Sequence, residues 1–212
     1  MDPVEALHVK IRACTLCQDA GYIERAAPVV AGRRENRIML VGQAPGVVEQ
    51  TIRRPFQGRA GKELFRWMAG IGIAEDEFRS HVYMTAITKC FPGKAPCGKG
   101  DRRPSPREIA LCRPWLEAQL ALVHPQTIVP VGGLAIERWF PRTPLTDLIG
   151  RRFEQDGVVL VPLPHPSGAS RWLNVPAHRD LLRRALEHVR AEWDRALRDL
   201  REGAERQLVS AT

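Results

Sequence analysis

Arg37-Ile38-Met39-Leu40-Val41-Gly42-Gln43-Ala44-Pro45-Gly46 is the stretch from which the fold is read. An unbroken apolar run, too short for a helix and closed by a Gly/Pro-bounded turn, fits a strand buried on both faces. Val82 to Ile87 (VYMTAI), Thr127 to Gly132 (TIVPVG) and Val158 to Leu163 (VVLVPL) read the same way. Between these runs, Gly61 to Ala69, Ser105 to Val123 and Leu134 to Phe140 carry Trp or Leu at helical spacing. Ser105-Pro106-Arg107-Glu108 has the cap, proline and glutamate of a helix start, which places Cys112 on the helix that follows. Strands alternating with helices predict an α/β fold, a three-layer α/β/α sandwich around a central four-stranded parallel sheet.

Outward from that frame, residues 176–202 predict a long helix with Leu181, Leu182, Ala185, Leu186, Val189, Trp193 and Leu197 on one stripe. No linker or repeat divides the chain, so residues 1–201 are expected to form a single domain and 202–212 a flexible tail. The 212 residues, 44% hydrophobic and 26% charged, exclude collagen-like, coiled-coil and wholly disordered classes. No run approaches the roughly 18 apolar residues of a membrane helix, and Met1 to Glu5 lacks a secretory pattern, so a cytoplasmic protein is expected. Thirty-two Lys and Arg against 24 Asp and Glu leave a net charge of +8, a balance that attracts polyanions. Arg33-Arg34, Arg53-Arg54, Arg102-Arg103 and Arg151-Arg152 stand at expected loops or element ends, within reach of phosphates. A monomer is expected, because no apolar seam remains once the C-terminal helix docks.

Parallel sheets bind ligands at the carboxyl ends of their strands. That rule selects Gly42 to Gly46, Thr88 to Arg103, Gly132-Gly133 and Pro164 to Gly168. Five cysteines in a chain without an export signal point to metal rather than disulfides. Cys14-Thr15-Leu16-Cys17 is a close pair, with Cys90 and Cys112 further on; four thiolates suit zinc or an iron-sulfur cluster, and buried unliganded cysteines are the plainer alternative. Cys97, in the Lys/Gly/Pro-rich segment from Gly93, is the odd one out. His165 lies between two prolines directly after a strand, which stiffens the loop and fixes the imidazole.

Together and in this order, these segments resemble the uracil-DNA glycosylase superfamily, most closely its iron-sulfur-containing family 4. The resemblance spans Val4 to Asn174. Cys14-x-x-Cys17 resembles the family's first cluster pair, and Gly42-Gln43-Ala44-Pro45-Gly46 its first active-site motif. Arg54-Pro55-Phe56-Gln57-Gly58-Arg59-Ala60-Gly61 is similar to a further family segment. Thr88 to Pro92 and Pro106 to Pro114 resemble the segments of the last two cluster cysteines, and His165-Pro166-Ser167 the second active-site motif.

The resemblance implies a four-iron four-sulfur cluster on Cys14, Cys17, Cys90 and Cys112, with zinc as the alternative. It implies that Phe56 stacks on a flipped base and that His165 donates to the base O2 as it becomes anionic. Gly42 and the backbone N–H groups of Gln43 and Ala44 would line the base pocket. Ser167 would bind a phosphate, the loop from Gly168 would enter the minor groove, and Arg171 or Trp172 would fill the gap left by the base. Two positions depart from the family pattern. Gln43 stands where Glu is usual and cannot take a proton from water, which leaves Glu49 as the carboxylate to compensate. Ala86 stands where an Asn usually reads the uracil edge. The segment Gly93 to Arg103 is longer than the family's spacing suggests, and is expected either to lie against DNA or to be a surface insertion. The implied activity is a monofunctional DNA glycosylase that removes uracil or another deaminated base from DNA. The alternatives are a glycosylase of hypoxanthine or xanthine and a non-catalytic iron-sulfur DNA-binding module.

Overall fold

The computed structural model describes the chain apart from residues 97, 99, 168–170 and 211–212 and the side chains of 171 and 204–210. In chain order the elements are α1 (Pro3–Arg12), α2 (Leu16–Asp19), β1 (Ile38–Gly42), α3 (Val47–Ile52), α4 (Arg59–Gly70), α5 (Glu75–His81) and β2 (Val82–Ala86). There follow α6 (Pro106–Val123), β3 (Thr127–Pro130), α7 (Gly133–Ile136), α8 (Leu145–Leu148), β4 (Phe153–Gln155), β5 (Val158–Leu160), a 3-10 turn (Arg171–Asn174) and α9 (Pro176–Ser210).

Every residue of β1, β2 and β3 is buried, as two-sided parallel strands require. The sheet order is β2-β1-β3-β5-β4, with parallel pairing everywhere except the antiparallel β4–β5 edge. The expected four-stranded parallel sheet is therefore the core of a five-stranded mixed one. The additional strand arises from Asp156-Gly157, whose φ values of 49° and 77° form the left-handed turn that closes a hairpin. β4 itself is short and mostly exposed, without the apolar run that marks the other four.

Alternation along β2 assigns the layers. Tyr83 and Thr85 face α1 and α6, where the Tyr83 hydroxyl meets His8 Nε2 at 2.6 Å and Gln119 Nε2 at 2.9 Å, and Thr85 donates to Gln119 Oε1. On the opposite face Phe65 of α4, Phe78 of α5 and Trp193 of α9 pack ring on ring. Glu192 is buried on α9 and accepts from Thr127 at the start of β3, from Arg152 and from Arg195, a use of a helix acid that periodicity does not reveal. α9 runs to Ser210, so the tail expected from Glu202 begins inside the helix. Glu, Arg, Ala, Gln and Leu dominate residues 201–208, and the lone Gly203 does not stop a helix already nucleated against the core. Among the described residues no helix is long and apolar enough to cross a membrane.

Candidate active site

The carboxyl ends of β1, β2 and β3 lie side by side. Gly42 pairs with Ala86, and beyond them Ile87 and Thr88 donate their N–H groups to the Gly42 and Gln43 carbonyls. Phe56 lies across this end. A Cβ on Gly42 would be 3.1 Å from the Phe56 ring, so only glycine lets the aromatic face approach the strand end so closely. Gly42 thus pairs with Ala86 on one side and packs against Phe56 on the other.

Phe56 has φ 54°, a left-handed conformation that an aromatic residue rarely adopts, and three neighbours hold it there. Arg79 of α5 donates to the Pro55 and Phe56 carbonyls at 2.9 Å each, with its guanidinium 4.3 Å over the Phe65 ring. Gly61 lies under the Phe56 carbonyl, where any Cβ would collide. Glu49 is buried, with Oε1 accepting from Gln57 N–H at 2.8 Å and Gly58 N–H at 2.7 Å and Oε2 from Gly46 N–H at 3.1 Å. Its carboxylate therefore ties the Phe56 turn to the Gly42–Gly46 loop.

Beyond β3, His165 packs on Gly132, whose φ of 85° and absent Cβ admit the ring; a Cβ there would be 2.9 Å from His165 Cδ2. Ser167 N–H donates to His165 Nδ1 at 3.1 Å, and the Ser167 hydroxyl lies 2.8 Å from the same nitrogen. A neutral ring receiving a donor at Nδ1 carries its proton on Nε2. Burial pushes the His165 pKa below the ordinary 6.5, against the pull of the Asp101 carboxylate, which favours that neutral form. Both the N–H and the hydroxyl of Ser167 thus lie on the histidine.

Asp101 comes from the Gly93–Arg103 segment, whose described residues pair across it. Lys94 and Asp101 form an antiparallel bridge, Ala95 N–H donates to the Gly100 carbonyl and Arg102 N–H to Gly93. Arg102 forks onto Glu108 at 2.7 and 2.8 Å and also donates to the Tyr22 carbonyl. Burial opposes ionisation of Glu108, but Arg102 and the Ser105 groups outweigh it and hold its carboxyl below the usual range. Arg103 pairs with Glu137, and Arg152 with Glu192 and Glu154, so three of the paired arginines expected to reach phosphates have acidic partners within the chain. Cys97 lies outside the described residues.

Cys14, Cys17, Cys90 and Cys112 line a single cavity with Leu16, Ile23, Pro28, Leu111 and Trp115. The α1–α2 turn brings the first pair, the loop after β2 the third and α6 the fourth. Two N–H groups already point at sulfur: Trp115 Nε1 to Cys14 at 3.3 Å and the Lys89 amide to Cys112 at 3.2 Å. Burial, then the neighbouring thiols and Glu108, push Cys17 up to about 12; burial pushes Cys90 up to about 11. Lys89 is buried with Nζ 2.5 Å from the Ala86 carbonyl, and burial pulls its pKa down to about 8 against the two nearest cysteines. The Thr88 hydroxyl, on the same cavity wall, is buried without a hydrogen-bond partner. Among the described residues no three His, Cys, Asp or Glu side chains converge on a point where one ion would sit. The four cysteines line one cavity, and as donors they suit a metal or an iron-sulfur cofactor.

Of the remaining expected DNA contacts, Trp172 stacks on His178, with ring centroids 4.1 Å apart, and its carbonyl accepts from His178 Nδ1. Gly168 and the Arg171 side chain lie outside the described residues. Sequence reasoning missed Arg79, for which no motif signals, and Asp101, whose signal is that it is the one acid in a cationic insertion.

A family model described as Uracil DNA glycosylase superfamily matches residues 30–190. The Type-4 uracil-DNA glycosylase of Pyrobaculum aerophilum is 31% identical over 156 residues, 74% of this chain and 71% of that protein. The Type-4 enzyme of Thermotoga maritima is 30% identical over 77% of this chain and 81% of its own length. That of Sulfurisphaera tokodaii is 28% identical over 90% and 84%, respectively.

Proposed function

Because the chain belongs to the Uracil DNA glycosylase superfamily, we propose that it hydrolyses the N-glycosidic bond of uracil in DNA, leaving an abasic site in base excision repair. The observation that carries this reading is His165, whose Nδ1 accepts from Ser167 and whose ring packs on Gly132 at the carboxyl end of the sheet, as Phe56 packs on Gly42. Cleavage leaves negative charge on the departing base, and a fixed neutral donor stabilises that charge without itself losing a proton. The flipped base stacks on Phe56, while the backbone around Gly42, Gln43 and Ala44 lines its edge. Ala86 supplies no amide there, so discrimination rests on shape, on His165 and on backbone groups. Glu49, with three backbone N–H groups on its oxygens, holds the pocket in shape rather than activating water.

Cys14, Cys17, Cys90 and Cys112 would hold a four-iron four-sulfur cluster. When bound, the cluster supplies cationic iron to the thiolates and cross-links α2, the loop after β2 and α6. Thr88, Lys89 and Trp115 offer donors to its sulfurs. The partner is DNA bearing a deaminated base, bound by a monomer.

The test is incubation with labelled duplexes containing uracil, hypoxanthine or xanthine, followed by alkaline cleavage. Scission at uracil supports the reading, and scission only at a purine lesion replaces the substrate. No scission, with salt-dependent DNA binding intact, favours a non-catalytic module and overturns the reading.

A further inference from the structure

We propose that Asp101, delivered by the Gly93–Arg103 segment to the rim of the Gly42–Gly46 loop, is the carboxylate that accepts the proton of the attacking water. The inference deepens the glycosylase reading and rests on it. Its geometric basis is the approach to Gly46, where a Cβ would be 3.3 Å from Asp101 Oδ2. Glycine at the end of the motif leaves the carboxylate room beside the loop. The two oxygens are differentiated: Oδ1 takes the Lys94 ammonium at 2.7 Å, and Oδ2 is the one turned to Gly46.

The placement is built rather than incidental. The residue before Asp101 accepts from Ala95 N–H, the residue after it donates to Gly93, and that same residue, Arg102, is clamped to Glu108 and the Tyr22 carbonyl. Asp101 is close enough to His165 for its charge to oppose the effect of burial on the imidazole, so the two groups share one electrostatic site.

Elimination within the motif points the same way. Gln43 cannot accept a proton near neutral pH. Glu49 is buried against the Gly46, Gln57 and Gly58 amides and serves the loop. An acid borne on the insertion restores a carboxylate to a motif that lacks one. In the step itself the C1′–N1 bond breaks with its electron pair passing to the base, whose anion His165 stabilises. The water oxygen bonds to C1′, and one water proton passes to Asp101 and then to solvent. The products are the free base and the abasic sugar, with water the only co-reactant. Before attack, the same negative charge offsets the positive charge developing on the sugar.

The experiment is single-turnover excision of uracil from a duplex oligonucleotide by the holoprotein and by Asp101→Asn and Asp101→Glu, with duplex affinity, visible absorption and melting temperature measured alongside. A general base predicts that Asp101→Asn lowers the saturating rate constant by about 100-fold or more. Affinity should be equal or tighter, since a negative charge facing DNA is removed, and Asp101→Glu should recover part of the rate. A merely structural residue would not separate rate from affinity in that way. Asp101→Asn within about threefold of wild type, or a rate that falls only in step with affinity and melting temperature, overturns the assignment while leaving the glycosylase reading intact. Failure of the wild-type protein to excise uracil sinks both, which distinguishes the two failures.

Discussion

The strand-end site and the thiol cavity share the segment Ile87 to Cys90, yet their polar groups are held in different ways. At the strand ends three polar groups are held by hydrogen bonds. Glu49 is matched by three amides, Arg79 by two carbonyls and Glu75, and His165 by Ser167. In the thiol cavity burial raises Cys17, Cys90 and Cys112, depresses Lys89 and leaves the Thr88 hydroxyl without a partner. Hydrogen bonds thus fix the groups on one side, while burial dominates on the other. The two are coupled directly, since Thr88 donates to the Gln43 carbonyl while lining the thiol cavity, and Lys89 holds the Ala86 carbonyl.

That contrast is broken most severely through the cavity. Cys112→Ser should abolish the visible absorption of the purified protein and cost several kcal/mol of stability, because cofactor binding contributes directly to folding. Iron analysis and thermal melting check it, and a colourless wild-type protein of equal stability would show that the cavity needs no cluster.

At the strand-end site, Gly61→Ala forces a Cβ into the Phe56 carbonyl. The expected loss is about 1 to 3 kcal/mol in urea unfolding, with uracil excision falling as the Phe56 turn shifts. An unchanged midpoint would show that this turn is not locked. Ala86→Asn works in the opposite direction, adding an amide beside Gly42, and should improve discrimination of uracil over other pyrimidines by roughly 1 to 3 kcal/mol in kcat/KM. Unchanged selectivity would place Ala86 outside the base pocket.

The smallest effect is on pH. His8 and His165 are both depressed by burial, so the unfolded chain takes up protons first as pH falls. The stability they contribute is present above 6.5 and is lost as pH drops toward their folded values. Melting temperature should therefore decline on acidification below 6.5, and a rise there would contradict the burial of the two neutral imidazoles.

The sequence carries the sheet core and both motif loops because their signals are local: apolar runs, glycines at strand ends, prolines around His165. The β4 hairpin escapes that reading. Its signal is the Asp156-Gly157 turn, while Phe153 to Gln155 is too exposed to show an apolar period. Glu49 is named by motif position, but its burial and three amides depend on the Phe56 turn folding back from eight residues downstream. Arg79 has no local signal at all, and Asp101 only that of a lone acid in a cationic segment. Each reaches its place only because a helix or a paired segment packs against a loop distant in sequence.

The most direct measurement is single-turnover excision of uracil from a duplex by the wild-type protein and His165→Ala side by side. The account predicts abasic product from the wild type and a rate about 100- to 1,000-fold lower in the variant, the loss expected for one preorganised donor to a developing anion. Equal rates, or no abasic product from a wild-type protein that still binds the duplex, would contradict it.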